Sequence, residues 1–171
     1  MPPDSIEIRP WSDSDSIDEL TSLLHAAYAI WKERDVRFFA THQTPADTLD
    51  RISCGQCFVA VFEGRLVGTI TIYREGYSSP DVSYRHPNLW VFGQFGVLPE
   101  FKGAGLGTRL LRHVEDFAAA NGAEVMACDT AEPAVELVAY YQRMGYAIVD
   151  RTSWDVTNYE SLILAKSLDK K

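Results

Sequence analysis

No apolar run in this 171-residue chain approaches the ~20 residues that a membrane-spanning helix needs, so no membrane association is expected. The opening Met1-Pro2-Pro3-Asp4-Ser5 lacks the basic-then-apolar pattern of a secretory signal, which points to a cytoplasmic protein. Cysteine is scarce: three residues, an odd number, make no disulfide framework and agree with a reducing compartment. Cys54 and Cys57 have redox or zinc spacing, but no second pair exists and the segment precedes a strand instead of opening a helix. Inert thiols and no metal site are expected. Positive charge is in deficit as well. Sixteen Lys and Arg against 24 Asp and Glu give a net charge of −8, and with no basic stripe to offset it the field of the molecule repels nucleic acid. Repeats, low-complexity tracts and interdomain linkers are absent. What remains, 46% hydrophobic and 12% aromatic, suits one globular domain across residues 1–171.

Periodicity divides that domain into elements. Ile6 and Ile8 alternate with Glu7 and Arg9, the pattern of a first strand over Ser5 to Trp11. Ser16-Ile-Asp-Glu19 reads as a capping box opening a helix whose Leu20, Leu23, Leu24, Ala27 and Tyr28 recur at helical spacing toward Trp31. Thr44-Pro45 starts a second helix, which stops near Gly55. Cys57 to Phe62 and Leu66 to Tyr73 form a hairpin around Glu63-Gly64-Arg65. Gly76 to Asn88 is a long surface loop that borders the substrate in this scheme, with His86 as a weak candidate for the site. Leu89 to Leu98 makes a fourth strand, whose Gly93 and Gly96 predict a bulge or a close backbone approach. A helix from Leu106 to Asn121-Gly122, a strand Glu124 to Asp129, a helix opened by Pro133 and stopped at Gly145, and strands Tyr146 to Trp154 and Tyr159 to Ala165 complete the order β-α-α-β-β-β-α-β-α-β-β. That order predicts an α/β (α+β) fold, one mixed sheet of about seven strands with helices on both faces.

Val97-Leu-Pro-Glu-Phe-Lys102-Gly103-Ala104-Gly105-Leu106-Gly107-Thr108 joins a strand to a helix through a glycine cluster. Glycines there expose backbone N–H groups to an anion, and the helix dipole favours negative charge, so the turn is either a pyrophosphate cradle with Lys102 beside it or a plain glycine turn. A P-loop is excluded because Gly-Lys-Ser/Thr is absent. The dinucleotide fingerprint fits poorly, since Thr108 stands where its third glycine belongs. Strand, Val97-x-Pro99, then Lys102-x-x-Gly105-x-Gly107 resembles the acyl-CoA motif of the GNAT N-acyltransferases, Arg/Gln-x-x-Gly-x-Gly/Ala, with lysine in the first position. Tyr141-Gln-Arg-Met-Gly145-Tyr146 is similar to the family's Tyr-x-x-x-Gly-Phe. The element order matches throughout the chain.

The resemblance implies a mostly antiparallel GNAT sheet and acetyl-CoA as cosubstrate, with no metal. Strands four and five would splay, and the pantetheine arm would pair with main-chain groups of Phe95, Gly96, Val97 and Leu98 in the opening. Lys102, Gly103, Ala104, Gly105, Leu106, Gly107 and Thr108 would hold the pyrophosphate, and Ala134, Leu137 and Tyr141 would complete the cofactor site. Ala134 replaces the asparagine that relatives often carry. Tyr141 is implied as the catalytic acid: a phenol with a pKa near ~10 is protonated at neutral pH and can supply the departing thiolate. Tyr140 misses the motif spacing by one residue.

The acceptor is expected to be a primary amine that attacks the thioester directly in a ternary complex, on a small molecule in preference to a peptide or protein. Gln94 stands where many relatives place a glutamate and cannot act as a base. Glu75, Asp129 or a water chain is left for that role, and a non-catalytic acyl-CoA sensor stays open as the alternative. Trp31, Phe38, Phe39 and Tyr84 are aromatic candidates for the pocket wall. A homodimer is implied by the resemblance alone.

Overall fold

Helix caps and apolar periodicity set most element boundaries in the computed structural model, which describes residues 5–168. The elements are β1 (Glu7–Pro10), α1 (Ile17–Glu33), α2 (Pro45–Ser53), β2 (Gln56–Phe62), β3 (Arg65–Tyr73), β4 (Leu89–Val97), α3 (Leu106–Ala120), β5 (Val125–Ala131), α4 (Val135–Arg143), β6 (Ala147–Ser153) and β7 (Glu160–Ser167). This is the predicted order, with short 3-10 turns added at Phe39–Thr41 and Pro99–Phe101. Thr44 and Asp47 form a reciprocal capping box on α2. At α1 only half of the expected box exists. Ser16 accepts from the Glu19 N–H at 3.2 Å, but the Glu19 carboxylate accepts from the Leu66 N–H at 2.9 Å, pinning the start of β3. Pro133 does not open α4. The Ala134 N–H donates to the Ala131 carbonyl at 3.0 Å, so the proline sits in a tight turn and the helix begins at Val135.

The seven strands form one sheet in the order β1-β2-β3-β4-β5-β7-β6. All neighbours are antiparallel except β4 and β5. That parallel pair is short, running only from Leu89↔Val125 to Val91↔Ala127. Beyond it the strands part. The cause lies in β4: Thr69 faces Gly96 and Thr71 faces Gly93, so Gln94 and Phe95 together oppose Ile70, a β-bulge between the two glycines. Gln94 takes the left-handed φ of 47° that this bulge needs.

Helices cover both faces. Gly68 and Thr69 are neighbours on β3 and point to opposite sides. A Cβ at Gly68 would lie 2.9 Å from Leu110 of α3, whereas one at Gly96, the partner of Thr69, would lie 3.0 Å from Ala27 of α1. Phe58, Ile70, Leu110, Leu111 and Met126 are fully buried in the core between these layers. Gly55, between α2 and β2, is held by contact: a Cβ there would meet the Ile72 carbonyl oxygen at 2.3 Å. Because backbone must shift to admit it, Gly55→Ala is expected to cost ~1–3 kcal/mol, read as a lower urea midpoint at unchanged m value.

Candidate active site

The parting of β4 from β5 opens a cleft of about 500 Å3, closed by the first turn of α3 and by α4. Phe95, Gly96, Val97, Lys102, Gly103, Gly105, Leu106, Gly107, Thr108, Leu137 and Tyr141 line it. Three residues predicted for the same role do not. Leu98 is buried in the core with its N–H bonded to the Val67 carbonyl at 3.0 Å. Ala104 points to solvent from the turn. Ala134 is fully buried among Trp31, Val36, Phe38 and Ala131.

Local geometry makes the first turn of α3 an anion cradle. Gly105, the N-cap, has a φ of +81° and offers no side-chain cap. The first backbone bond of the helix runs from the Arg109 N–H to the Gly105 carbonyl, so the amides of Leu106, Gly107 and Thr108 precede every intrahelical acceptor. A Cβ at Gly103 or Gly105 would meet nothing within 4 Å, so the approach is open. The buried Tyr140 hydroxyl faces the same turn beside Thr108 and Gly107. These groups suit a pyrophosphate. The Lys102 ammonium donates to the Ala27 carbonyl of α1 at 3.0 Å, and partial burial lowers its pKa.

A second cavity, of about 240 Å3, meets the cleft at Tyr28, Phe95 and Tyr141, which line both. Phe38, Phe39, Trp154 and Tyr159 wall it, and Arg51 and Asp129 bring it charge. Its mouth is framed by two loops tied together: the Arg37 N–H donates to Asn158 Oδ1 at 2.9 Å and Asn158 Nδ2 donates to the Asp35 carbonyl at 2.8 Å. Tyr28 donates to the Phe95 carbonyl at 2.8 Å, fixing the bulge to α1.

Tyr141 is 5% exposed, and its ring sits 5.8 Å from Phe92 and 5.4 Å from Tyr140. Burial first, then the nearby Cys128, pushes its pKa well above the usual phenol value, so it stays protonated. Asp129 is solvent-accessible, yet it lies recessed where protein surrounds it on most sides. Desolvation therefore raises its pKa, against the opposing effects of the Trp154 indole at 3.1 Å, the Arg51 charge and the Tyr77 hydroxyl at 3.5 Å. Burial also lifts Tyr28 to about 12.

Several predicted neighbours lie elsewhere. Glu75 lines a separate hollow with Cys54, Arg74 and Trp90. His86 faces Glu124 at 3.8 Å. The 76–88 loop reaches the site only through Tyr77 and otherwise leans on Asp150 through the Ser83 and Tyr84 amides. Phe38 and Phe39 wall the second cavity, Trp31 the cleft, and Tyr84 packs with Leu89 and Val125. Cys54 is exposed, while Cys57 is buried with its thiol pushed up by desolvation. Among the described residues no group of three or more His, Cys, Asp or Glu clusters as metal ligands, and no helix is long and apolar enough to cross a membrane. Sequence reasoning missed Arg51 and placed Tyr28 in the core face of α1. No motif marks either, because both acquire their place only when α1 and α2 pack against the bulge.

Comparison with known proteins agrees with this geometry. Residues 18–146 match the model of the Acetyltransferase (GNAT) family. The S-(2-succino)cysteine N-acetyltransferase of Bacillus subtilis is 29% identical over 131 residues, 75% of this chain and 77% of that protein. The S-alkylcysteine N-acetyltransferase of the same organism is 31% identical over 98 residues, 57% of this chain and about half (53%) of that protein. In structure, a GNAT family acetyltransferase from Elizabethkingia anophelis with acetyl-CoA bound superposes with a TM-score of 0.67 at 16% identity, covering 96% of this chain and 99% of that one. An acetyltransferase from Streptococcus agalactiae does so at 0.72 and 21%, with the same coverage. The family match spans most of the chain and both of its motifs, and the fold agrees over 96% of it: the chain belongs to the GNAT acetyltransferase family.

Proposed function

We propose that this acetyltransferase moves the acetyl group of acetyl-CoA to the primary amine of a small molecule, by direct attack in a ternary complex. One observation carries the proposal: Tyr141 stands where the cleft and the second cavity meet, so one hydroxyl serves both reactants. The amides of Leu106, Gly107 and Thr108 would hold the pyrophosphate, and the edge of β4 that β5 leaves beyond Val91 would bind the pantetheine amides. The second cavity, below the ~300–1,000 Å3 of drug-sized sites, suits a small acceptor over a protein segment. Two relatives named for acetylating cysteine derivatives support the same class.

In the reaction the acceptor ammonium gives a proton to Asp129, directly or through water. The freed nitrogen attacks the thioester carbonyl, the C–N bond forms and the C–S bond breaks. The leaving sulfur takes the Tyr141 proton. The attacking nitrogen sheds its second proton to water as the amide forms, the proton on Asp129 returns to solvent, and solvent reprotonates Tyr141, so the sum is amide, CoA thiol and one released proton. The sensor alternative rested on Gln94, and a carboxylate at Asp129 facing the cavity takes away its basis.

The test is thiol release from acetyl-CoA with small amines, followed across pH. Release should depend on the amine. Because the Asp129 pKa is raised, kcat/KM should fall with decreasing pH at values above the ordinary carboxylate range, as Asp129 becomes protonated and loses its acceptor lone pair. Asp129→Asn should lower the rate and abolish that limb. Bound acetyl-CoA without thiol release for any amine, S-substituted cysteines included, would instead establish a sensor.

A further inference from the structure

Arg51 and Asp129 bring opposite charges to one small, aromatic-walled cavity without touching each other. Among the described residues neither belongs to an ion pair within 4.0 Å. The Arg51 guanidinium is held in place instead. It donates to Gln43 Oε1 at 2.6 Å and lies 5.4 Å from the centre of the Phe39 ring. Gln43 is 1% exposed and is fixed in turn: its Nε2 donates to Thr48 at 2.6 Å and to Gln94 Oε1 at 2.8 Å. A buried amide network thus ties the guanidinium to the bulge that shapes the site, and most of its N–H donors stay unused by protein.

Resting on the acetyltransferase reading above, we infer that this cavity recognises a free α-amino acid: Arg51 binds the α-carboxylate, Asp129 receives the α-ammonium, and the aromatic wall takes the side chain. A simple amine would satisfy Asp129 and leave the guanidinium with no anion in direct contact, an unfavourable arrangement once the cavity is filled. A peptide N-terminus would do the same, since its first carboxyl group is an amide. An amino acid carries both charges on one carbon and answers both side chains, with the planar guanidinium matched to a carboxylate. Phe38, Trp154 and Tyr159 form the apolar side, and Val156, 57% exposed at its edge, leaves room for a long substituent. Arg51 is on this account a specificity residue whose charge also helps keep Asp129 ionised.

The experiment compares S-benzylcysteine with S-benzylcysteinamide, which shares the amine and side chain but lacks the negative charge, using wild type, Arg51→Gln and Arg51→Lys. Wild type should prefer the acid by about thirty-fold or more in kcat/KM, chiefly through KM. Arg51→Gln should erase that preference by raising KM for the acid far more than for the carboxamide. Arg51→Lys should restore part of it. Equal use of the two compounds by wild type, or a parallel loss for both in Arg51→Gln, would overturn the inference and leave the acetyltransferase reading intact, since thiol is still released. No release with either compound while another small primary amine is turned over would likewise overturn the inference alone, and no release with any amine would end both.

Discussion

Tyr141→Phe should lower kcat by about 10²–10⁴-fold, the usual contribution of a positioned acid, with CoA affinity unchanged. The substitution removes one oxygen and keeps the ring, which packs against Phe92, Tyr140 and Tyr146 and is 5% exposed. Folding and the cleft wall should therefore survive. The wild-type acid role should persist to alkaline pH, because burial holds the phenol pKa well above its usual value and the proton is lost only as pH rises past that point. Steady-state thiol release gives kcat, and calorimetry with CoA gives the control. Turnover equal to wild type would take the acid role from Tyr141 and pass proton delivery to water.

Gly105→Glu should weaken acetyl-CoA and CoA binding by about 100-fold or more, the cost of setting a like charge directly against the pyrophosphate. Two effects coincide at this N-cap. Its φ of +81° is left-handed, a conformation that costs most residues ~1–2 kcal/mol. The new carboxylate also stands at the amides of Leu106, Gly107 and Thr108, where it repels the pyrophosphate and competes for the same donors. A negative charge at that end favours the helix dipole, so the folding penalty is partly offset while the binding penalty is not. Gly105→Asn, which tolerates the left-handed conformation without added charge, should keep most of the affinity. Titration with acetyl-CoA and CoA reads the result, with NADH as the control ligand. Full CoA affinity in the Glu variant would place the pyrophosphate away from the Lys102–Thr108 turn.

Most of the fold was legible because its signals are local. The Thr44 cap, the Leu20-Leu23-Leu24-Ala27 face and the bulge glycines act through neighbours a few residues apart. Errors arose where a local signal met a tertiary competitor. Glu19 has the spacing of a capping box, but the Leu66 amide offers its carboxylate a partner. Pro133 suits a helix start, but the turn that carries the chain out of β5 takes it first. Ala134 stands at a family contact position, yet it is sealed under Trp31 and Phe38.

The sequence by itself determined the order of the elements, the glycine cradle at α3 and the place of Tyr141 one helical face from its stop at Gly145, since each depends on chain neighbours and backbone conformation. Only the tertiary structure decided that β4 and β5 separate after Val91, that Asp129 and not Glu75 faces the second cavity, and that Arg51 meets it there. Those outcomes rest on groups from α1, α2, β4 and β5 brought together by packing. Charge placement across a cavity has no period along a chain, so no window of sequence carries it.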